Sequence, residues 1–308
     1  MRPRRPDIEA AAFRIGRAIR RTPVVTLGPS ETGLEASVAL KLELMQHSGS
    51  FKARGALNSV LSLEPGMSRV CAASGGNHAG AVSWAAQRAG LSADVFVPSN
   101  ATPAKIARIA EYGGRTHLVA GFVKDALAEC RAFSTREGVP LLHPYDTVET
   151  VSGAGTVGLE IEEQAPEAQQ VVVGCGGGGL YAGLAAALGG VAHVQPVEPR
   201  LCPNLADALS AGRPVATTVG GVAVDSLGAP VIGDIAFETA REHEVVPMLV
   251  DEEAILEARR FLWRRLRVLA EPGACVGLAA VLGGQVDAGP GETVVVVVSG
   301  GNNDTLPI

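Results

Sequence analysis

The chain has 308 residues, of which 47% are hydrophobic and 19% are charged, a composition typical of a globular protein with a large core. Its formal net charge of −6 argues against a general nucleic-acid binder. The longest strongly apolar run, 294–298, is too short to span a bilayer, and no apolar signal-peptide segment follows the basic N-terminus. We therefore expect a cytoplasmic protein that binds neither nucleic acid nor membrane.

In the first half of the chain, the hydrophobic pattern predicts a helix over 7–20, strands over 24–27 and 37–44, and a helix over 51–63. From there to about residue 145, strands alternate with helices. The predicted strands are 69–73, 93–97, 115–119 and 139–142, and the predicted helices are 77–89, 103–112 and 122–136. Such alternation implies a parallel sheet with helices on its faces.

A second series of alternating elements follows. Strands are predicted over 170–174, 193–198 and 293–298, and helices over 179–188, 203–211, 252–267 and 275–284. We expect two open-sheet α/β domains, a large one of residues 1–66 and 146–308 and a small one of residues 67–145. The cleft between two such domains is a common place for a ligand.

The five cysteines are widely spaced and include no C-x-x-C pair, which indicates reduced thiols rather than a disulfide framework or a zinc site. They are Cys71, Cys130, Cys175, Cys202 and Cys275.

A glycine-rich loop, 174–180, follows one predicted strand and opens a helix. Free N–H groups at a helix start suit a phosphate. The alternative is a turn for tight packing, although four successive glycines exceed that need. Gly174, Gly176 and Gly179 also satisfy G-x-G-x-x-G, and Glu198 ends the next strand, a pattern that alone favours a nicotinamide-dependent dehydrogenase. That interpretation leaves the rest of the chain unexplained.

The tetrapeptide Ser-Gly-Gly-Asn occurs twice, at 74–77 and at 299–302, each time after a predicted strand. Both copies should therefore lie at the carboxyl end of a sheet, where open α/β folds place their ligands. Residues 74–77 can present hydroxyl, amide and backbone N–H groups to a carboxylate. A simple helix N-cap is the alternative, and the recurrence after a second strand makes it less attractive.

Lys52 lies just inside a predicted helix start, a position that alone is typical of a solvated surface lysine. Its surroundings, however, resemble those in the pyridoxal-phosphate-dependent enzymes of fold type II, in the branch of serine/threonine dehydratases and serine racemases. Five motifs carry the resemblance in the family's order: Ser50-Phe51-Lys52-x-Arg54-Gly55, Ser74-Gly75-Gly76-Asn77-His78, the 176–179 loop, Glu271-Pro272 and Ser299-Gly300-Gly301-Asn302.

The resemblance implies a homodimer with pyridoxal 5'-phosphate in the cleft, bound to Lys52 as a Schiff base. Phe51 would pack near the ring, Asn77 would bond its hydroxyl, and Ser299 would face its nitrogen. The phosphate would lie against Gly176, Gly177, Gly178, Gly179 and Leu180. The carboxylate of a small amino-acid substrate would lie against Ser74, Gly75, Gly76, Asn77 and His78.

Physical chemistry agrees with these roles. A partly desolvated lysine at the positive end of a helix has its ammonium form disfavoured, and a neutral amine is what imine formation and proton abstraction require. Serine at the ring nitrogen leaves that nitrogen largely unprotonated, which suits loss of a β-substituent over transamination. The implied activity, in amino-acid metabolism, is an ammonia-lyase (dehydratase) that converts L-threonine or L-serine to a 2-oxo acid and ammonia.

Several alternatives stay open from the sequence. Racemases of this group carry a second serine where this chain has Gly75, and β-replacement enzymes carry threonines in the phosphate loop, so both activities are disfavoured. A non-catalytic pyridoxal-phosphate-binding protein belongs to another class. Relatives that bind a divalent cation use two acids where this chain has Glu198 and Asn204. Glu198 is therefore only a weak metal candidate, and we expect no metal.

Overall fold

Two β-sheets organise the computed structural model, which describes residues 2–99, 101–303 and 305–307. The larger sheet has the strand order β1-β2-β9-β6-β7-β8, and the smaller has the order β3-β4-β5. Neighbouring strands are parallel except β1 and β2. The strands are Val24–Leu27 (β1), Ser37–Lys41 (β2), Arg69–Ala73 (β3), Ser92–Pro98 (β4), Arg115–Val119 (β5), Gln170–Gly174 (β6), His193–Pro199 (β7), Met248–Val250 (β8) and Thr293–Val297 (β9). The predicted α/β class is confirmed.

Helices connect the strands and cover both sheets. They are Arg5–Ile15 (α1), Pro29–Thr32 (α2), Lys52–Leu61 (α3), Asn77–Arg88 (α4), Pro103–Glu111 (α5), Val123–Glu137 (α6), Val148–Gln164 (α7), Gly179–Leu188 (α8), Asn204–Ala211 (α9), Val224–Leu227 (α10), Asp234–Glu242 (α11), Glu252–Leu266 (α12) and Val276–Leu282 (α13). Short 3₁₀ turns span Glu43–Met45, His47–Gly49 and Pro272–Cys275. Within the described residues, none of the helices has both the length and the apolar character needed to cross a membrane.

The larger sheet is buried on both faces, as its valine-rich central strands require. Val171 and Val173 of β6 pack into a core with α1, α7, α8 and α11. Val172, between them, points to the opposite core with α12 and α13. This alternation is the period of two that a strand imposes on its side chains.

Helix α3 packs against elements of both sheets. Ala53 and Leu57 share a core with β3 and α4 of the smaller sheet. On its other side α3 crosses α7 closely, since a Cβ atom at Gly55 would lie 2.7 Å from the Thr150 carbonyl oxygen and one at Gly153 would lie 2.6 Å from the Arg54 carbonyl oxygen. Lys52, the first residue of α3, therefore lies where the two layers meet.

The structure corrects several predicted elements. Residues 139–142 form only a bridge from Leu141 to Cys71, so the smaller sheet has three strands rather than four. Helix α1 ends at Ile15 rather than residue 20, and β2 ends at Lys41 rather than residue 44. The sequence analysis missed α2, α7, α10, α11 and β8. The proposed domain boundaries, 66/67 and 145/146, fall in segments that connect these elements, and the division into domains stays a prediction.

Candidate active site

The Lys52 amine lies at the start of α3, where the two layers meet, and we call its surroundings the cleft. Its Nζ atom donates a hydrogen bond to the Pro144 carbonyl oxygen at 2.6 Å. It also lies 5.0 Å from the centre of the Phe51 ring and 5.9 Å from that of Tyr145. Burial lowers the pKa of Lys52 to about 8, against the opposing charge of Glu271. A useful fraction of this amine is therefore neutral near physiological pH, unlike an ordinary lysine.

The first Ser-Gly-Gly-Asn turn, at the carboxyl end of β3, is half-buried. Within the turn, the Gly76 N–H group donates a hydrogen bond to Ser74 Oγ at 3.1 Å. Among the described residues, the N–H groups of Gly75, Asn77 and His78 have no hydrogen-bond acceptor. The start of α4 adds its positive end to these donors. The turn can therefore hold a carboxylate.

The second Ser-Gly-Gly-Asn turn, after β9, meets the first through its asparagine. Asn302 Nδ2 donates to Asn77 Oδ1 at 2.7 Å and to the Ser48 carbonyl oxygen at 2.9 Å. Asn77 Nδ2 in turn donates to Glu271 Oε1 at 2.7 Å. Burial raises the pKa of Glu271 to about 7, although the hydrogen bond from Asn77 opposes this rise. Hydrogen bonds to its oxygen and from its nitrogen therefore orient the Asn77 amide.

Ser299 joins the second turn to the helix that carries Lys52. Its carbonyl oxygen accepts the Phe51 N–H group at 3.0 Å, and Ser50 forms an antiparallel bridge with Gly300. Ser299 is 7% exposed. Its hydroxyl makes no hydrogen bond to any other part of the chain that the structure describes, so it is free to bond a ligand.

Close packing requires the glycines of the 176–179 loop. A Cβ atom at Gly177 would lie 2.4 Å from the Tyr145 ring, and one at Gly178 would lie 2.2 Å from Ala236 Cβ. Gly178 also has a φ of +85°, in the left-handed region that favours glycine. The sequence left tight packing and phosphate binding as alternative reasons for these glycines. The structure shows that close packing is one reason.

The same loop is also suited to a phosphate. Across residues 2–99, 101–303 and 305–307, no acceptor faces the N–H groups of residues 176–180. They lie at the start of the ten-residue helix α8, largely buried. Buried N–H groups are rarely left without a partner, so this cluster fits an anion.

Two predicted residues have side chains engaged elsewhere in the fold. His78 is buried and its Nε2 lies 3.0 Å from the Leu142 carbonyl oxygen. Burial, with the nearby Lys52 charge, lowers the pKa of His78 to about 3, so the imidazole stays neutral. The Glu198 carboxylate accepts the N–H groups of Leu205 at 2.7 Å and Ala206 at 3.0 Å, at the start of α9.

The hydrogen bonds of Glu198 bear on the dehydrogenase interpretation and on the candidate metal site. Both its oxygens are used by α9, so it is not available to a ribose, which weakens the dehydrogenase interpretation. Within the described residues, no group of three or more His, Cys, Asp or Glu side chains could hold a metal ion. The carboxamide oxygen of Asn204 has no hydrogen-bond partner there, and a cation at Glu198 stays a weak hypothesis.

Sequence reasoning missed the segment 143–146, which lines the cleft opposite Lys52. Besides the Pro144 carbonyl, it supplies the Tyr145 ring, whose hydroxyl donates to the Val231 carbonyl oxygen at 3.1 Å. Asp146 Oδ1 accepts the Ile235 N–H group at 3.0 Å, at the start of α11. The available signal was its position directly after a predicted strand.

Sequence reasoning also missed a buried ion network behind Lys52. Arg54, fully buried, makes two hydrogen bonds to Glu43 at 2.7 and 2.8 Å and one to Glu160 at 2.7 Å. Lys41 bonds the other Glu160 oxygen. The network joins β2, α3 and α7, and removing one member of such a buried group typically costs about 3–5 kcal/mol. It holds α3, and with it Lys52, in place.

These features define a class of protein. The two anion-binding loops and Ser299 lie at the carboxyl ends of β3, β6 and β9, around an amine with a lowered pKa. That arrangement suits an enzyme whose lysine binds the carbonyl group of a phosphorylated cofactor.

Comparison with known proteins supports this class of enzyme. The chain belongs to the family of pyridoxal-phosphate-dependent enzymes, whose family model matches residues 15–300. It is 33% identical to the L-threonine ammonia-lyase of Thermotoga maritima, over 97% of this chain and 75% of that protein. It is also 33% identical to the serine racemase of Arabidopsis thaliana, over 97% of this chain and 92% of the racemase. The crystal structure of a threonine deaminase from T.th. matches with a TM-score of 0.90 and 36% identity, over 98% of this chain and 99% of that one.

Proposed function

We propose that this enzyme is an ammonia-lyase that converts a β-hydroxy amino acid, such as L-threonine or L-serine, to a 2-oxo acid and ammonia. The observation that carries the proposal is the position of Lys52 Nζ, an amine of lowered pKa held by the Pro144 carbonyl between the two Ser-Gly-Gly-Asn turns. The similarity to a threonine ammonia-lyase and a threonine deaminase supports it.

The unpartnered groups of the cleft fit the cofactor. The N–H groups of 176–180 would hold the phosphate, the Ser299 hydroxyl would face the ring nitrogen, and the second N–H of the Asn77 amide would reach the ring hydroxyl. Phe51 would pack beside the ring. When bound, pyridoxal 5'-phosphate supplies the electron sink that makes the α-proton of an amino acid acidic.

The protein's own groups then perform the elimination. The N–H groups of Gly75, Asn77 and His78 would orient the substrate carboxylate, which fixes the α-proton toward Lys52. The neutral Lys52 amine takes that proton as the Cα–H bond breaks. The Cβ–O bond breaks next, and Lys52 Nζ returns its proton so that the hydroxyl leaves as water.

Racemisation is the second candidate, because serine racemases are among the relatives. It needs a base on the face opposite Lys52. At the corresponding place Gly75 has no side chain, and the nearest atom to a Cβ there would be Pro98 Cδ at 3.6 Å. The absence of a side chain at Gly75 favours elimination.

The test starts from the purified protein, which should be yellow. Borohydride treatment should remove the colour and leave the cofactor covalently attached to Lys52. Ammonium release from L-serine, L-threonine and other β-hydroxy amino acids is then measured. Lys52→Ala should abolish release, whereas Arg264→Ala, on the exposed face of α12, should not change it. A colourless protein that binds NAD would restore the dehydrogenase interpretation. A yellow protein that releases no ammonium from any substrate would be a non-catalytic binder.

We also propose that the enzyme is a cytoplasmic homodimer without affinity for nucleic acid. The support is the family resemblance, the net charge of −6 and the absence of any paired cysteine within the part of the chain that the structure describes. Light scattering at several concentrations tests the dimer.

A further inference from the structure

Arg108 occupies a recess beside the first turn. Gly80 lies one turn after Asn77 on α4, and therefore on the same helix face. A Cβ atom at Gly80 would lie 3.5 Å from Arg108 Cδ and 4.0 Å from Ser48 Cβ. The aliphatic part of Arg108, from α5, thus covers Gly80 next to the Asn77 amide.

The charge of Arg108 is not neutralised in the described residues, where no carboxylate lies within 4 Å of its guanidinium. Lys105, one turn earlier on α5, instead pairs with Asp225 of α10 at 2.9 Å. Arg108 is half-buried, and its charge acts on the buried Glu271 carboxyl group, whose pKa it tends to lower. A half-buried guanidinium without a partner is costly, and a bound anion would offset that cost.

Ser48 gives an independent indication at the same recess. It is 4% exposed, and its hydroxyl has no hydrogen-bond partner in residues 2–99, 101–303 and 305–307. Its φ of +57° is unusual for a residue other than glycine. A buried hydroxyl in a constrained backbone, without a partner, is typical of a place where a ligand completes the bonding.

We propose that Arg108 and the Ser48 hydroxyl form a subsite for a second carboxylate, so that the preferred substrates are β-hydroxy amino acids with an acidic side chain, such as 3-hydroxyaspartate. This inference rests on the proposed function and names its substrate class. The reaction stays an α,β-elimination: Cα–H and Cβ–O break, water leaves, and hydrolysis of the resulting enamine consumes one water and gives oxaloacetate and ammonium.

A binding experiment tests the subsite without turnover. Succinate and butanoate have the same length and differ by one carboxylate, and their affinities for the holoenzyme are measured by isothermal titration calorimetry. We expect succinate to bind more tightly, and Arg108→Ala to weaken succinate binding about 10- to 100-fold with little effect on butanoate. Arg264→Ala, a charge-matched change on the surface, should alter neither affinity.

Turnover gives the second measurement. Arg108→Ala should lower kcat/KM for 3-hydroxyaspartate about 10- to 100-fold more than it lowers kcat/KM for L-serine. Equal losses for both substrates, or equal binding of succinate and butanoate by the unaltered enzyme, would overturn the inference. Release of no ammonium from any substrate, with Arg108-dependent succinate binding intact, would instead reject the ammonia-lyase activity and leave the subsite standing.

Discussion

The same four residues, Ser-Gly-Gly-Asn, form two turns with different surroundings. In the first, a Cβ atom at Gly75 would make only ordinary van der Waals contact, with Pro98 Cδ at 3.6 Å as its nearest neighbour. In the second, a Cβ atom at Gly300 would lie 2.3 Å from Glu271 Oε1. Gly75 could carry a methyl group without a clash, whereas Gly300 leaves room for a buried carboxyl group. An identical motif therefore does not imply an identical reason for each residue.

Glu271 contacts both turns, and the titration of its carboxyl group should give the largest change in the free energy of unfolding. Its native pKa of about 7 lies above its ordinary value of 4.5, so the folded protein keeps a proton that the unfolded chain loses between these pH values. Stability from this group is therefore full below pH 4.5 and falls as the pH rises to 7, by about 3 kcal/mol.

Urea unfolding of the cofactor-free protein between pH 4.5 and 7.5 measures this slope. Glu271→Gln should lack this fall, whereas Glu198, whose pKa burial also raises to about 7, and His78, whose lowered pKa makes stability rise with pH over the same range, contribute equally in both proteins. An unchanged slope in Glu271→Gln would show that the carboxyl group titrates normally.

Gly300→Ala should destabilise the protein by about 1–3 kcal/mol, because the new methyl group meets the buried Glu271 carboxyl group. The matched change in the other turn, Gly75→Ala, should cost less than about 0.5 kcal/mol, because its methyl group would meet Pro98 and Ala101 at ordinary van der Waals distance. The midpoints of urea unfolding compare the two variants, and equal losses would remove the distinction between the turns.

Asn302→Ala should cost about 1–2 kcal/mol, because it removes the donor to Asn77 Oδ1 and to the Ser48 carbonyl oxygen. A double-mutant cycle with Asn77→Ala isolates the bond between the turns. We expect a coupling energy of about 0.5–1.5 kcal/mol from this contact. Simple additivity of the two losses would mean that the turns are energetically independent.

Gly75→Ser should have the smallest effect on stability, less than about 0.5 kcal/mol, since its Cβ atom meets no neighbour closer than 3.6 Å. It places a hydroxyl where the racemases of this group have one. We expect the variant to form some D-serine from L-serine, measured by chiral chromatography. Gly75→Ala is the control, and D-serine in that variant too would show that the hydroxyl is not the cause.

The sequence predicted the elements with strong local signals. Helix α8 was predicted at its observed bounds, 179–188, because the glycine loop marks its start and an apolar run follows. Helix α7 was missed because Gly153, Gly155 and Gly158 suggest a loop. In the structure these glycines permit close contact with α3 and α8, so tertiary packing overrides their low helix propensity.

The sequence predicted only those residues of the site that belong to a local motif. Lys52, the turns and the glycine loop stand out locally, and the structure brings them into one cleft. The Lys41–Glu160 and Arg54–Glu160 contacts join residues 119 and 106 positions apart, and spacing alone does not reveal them. The Arg108 recess likewise depends on how α5 packs on α4. The individual cofactor and substrate roles stay predictions.

The ion network behind Lys52 also has a consequence for the order of folding. Glu43 compensates the charge of Arg54 locally, but Lys41 keeps an uncompensated charge in the core until Glu160 is in place, and these two are 119 residues apart in the chain. Contacts of such long range form late, because the intervening chain must first be ordered. We therefore expect a nascent chain that stops before α7 to leave the Lys52 helix undocked. The active site is then among the last parts of the enzyme to assemble.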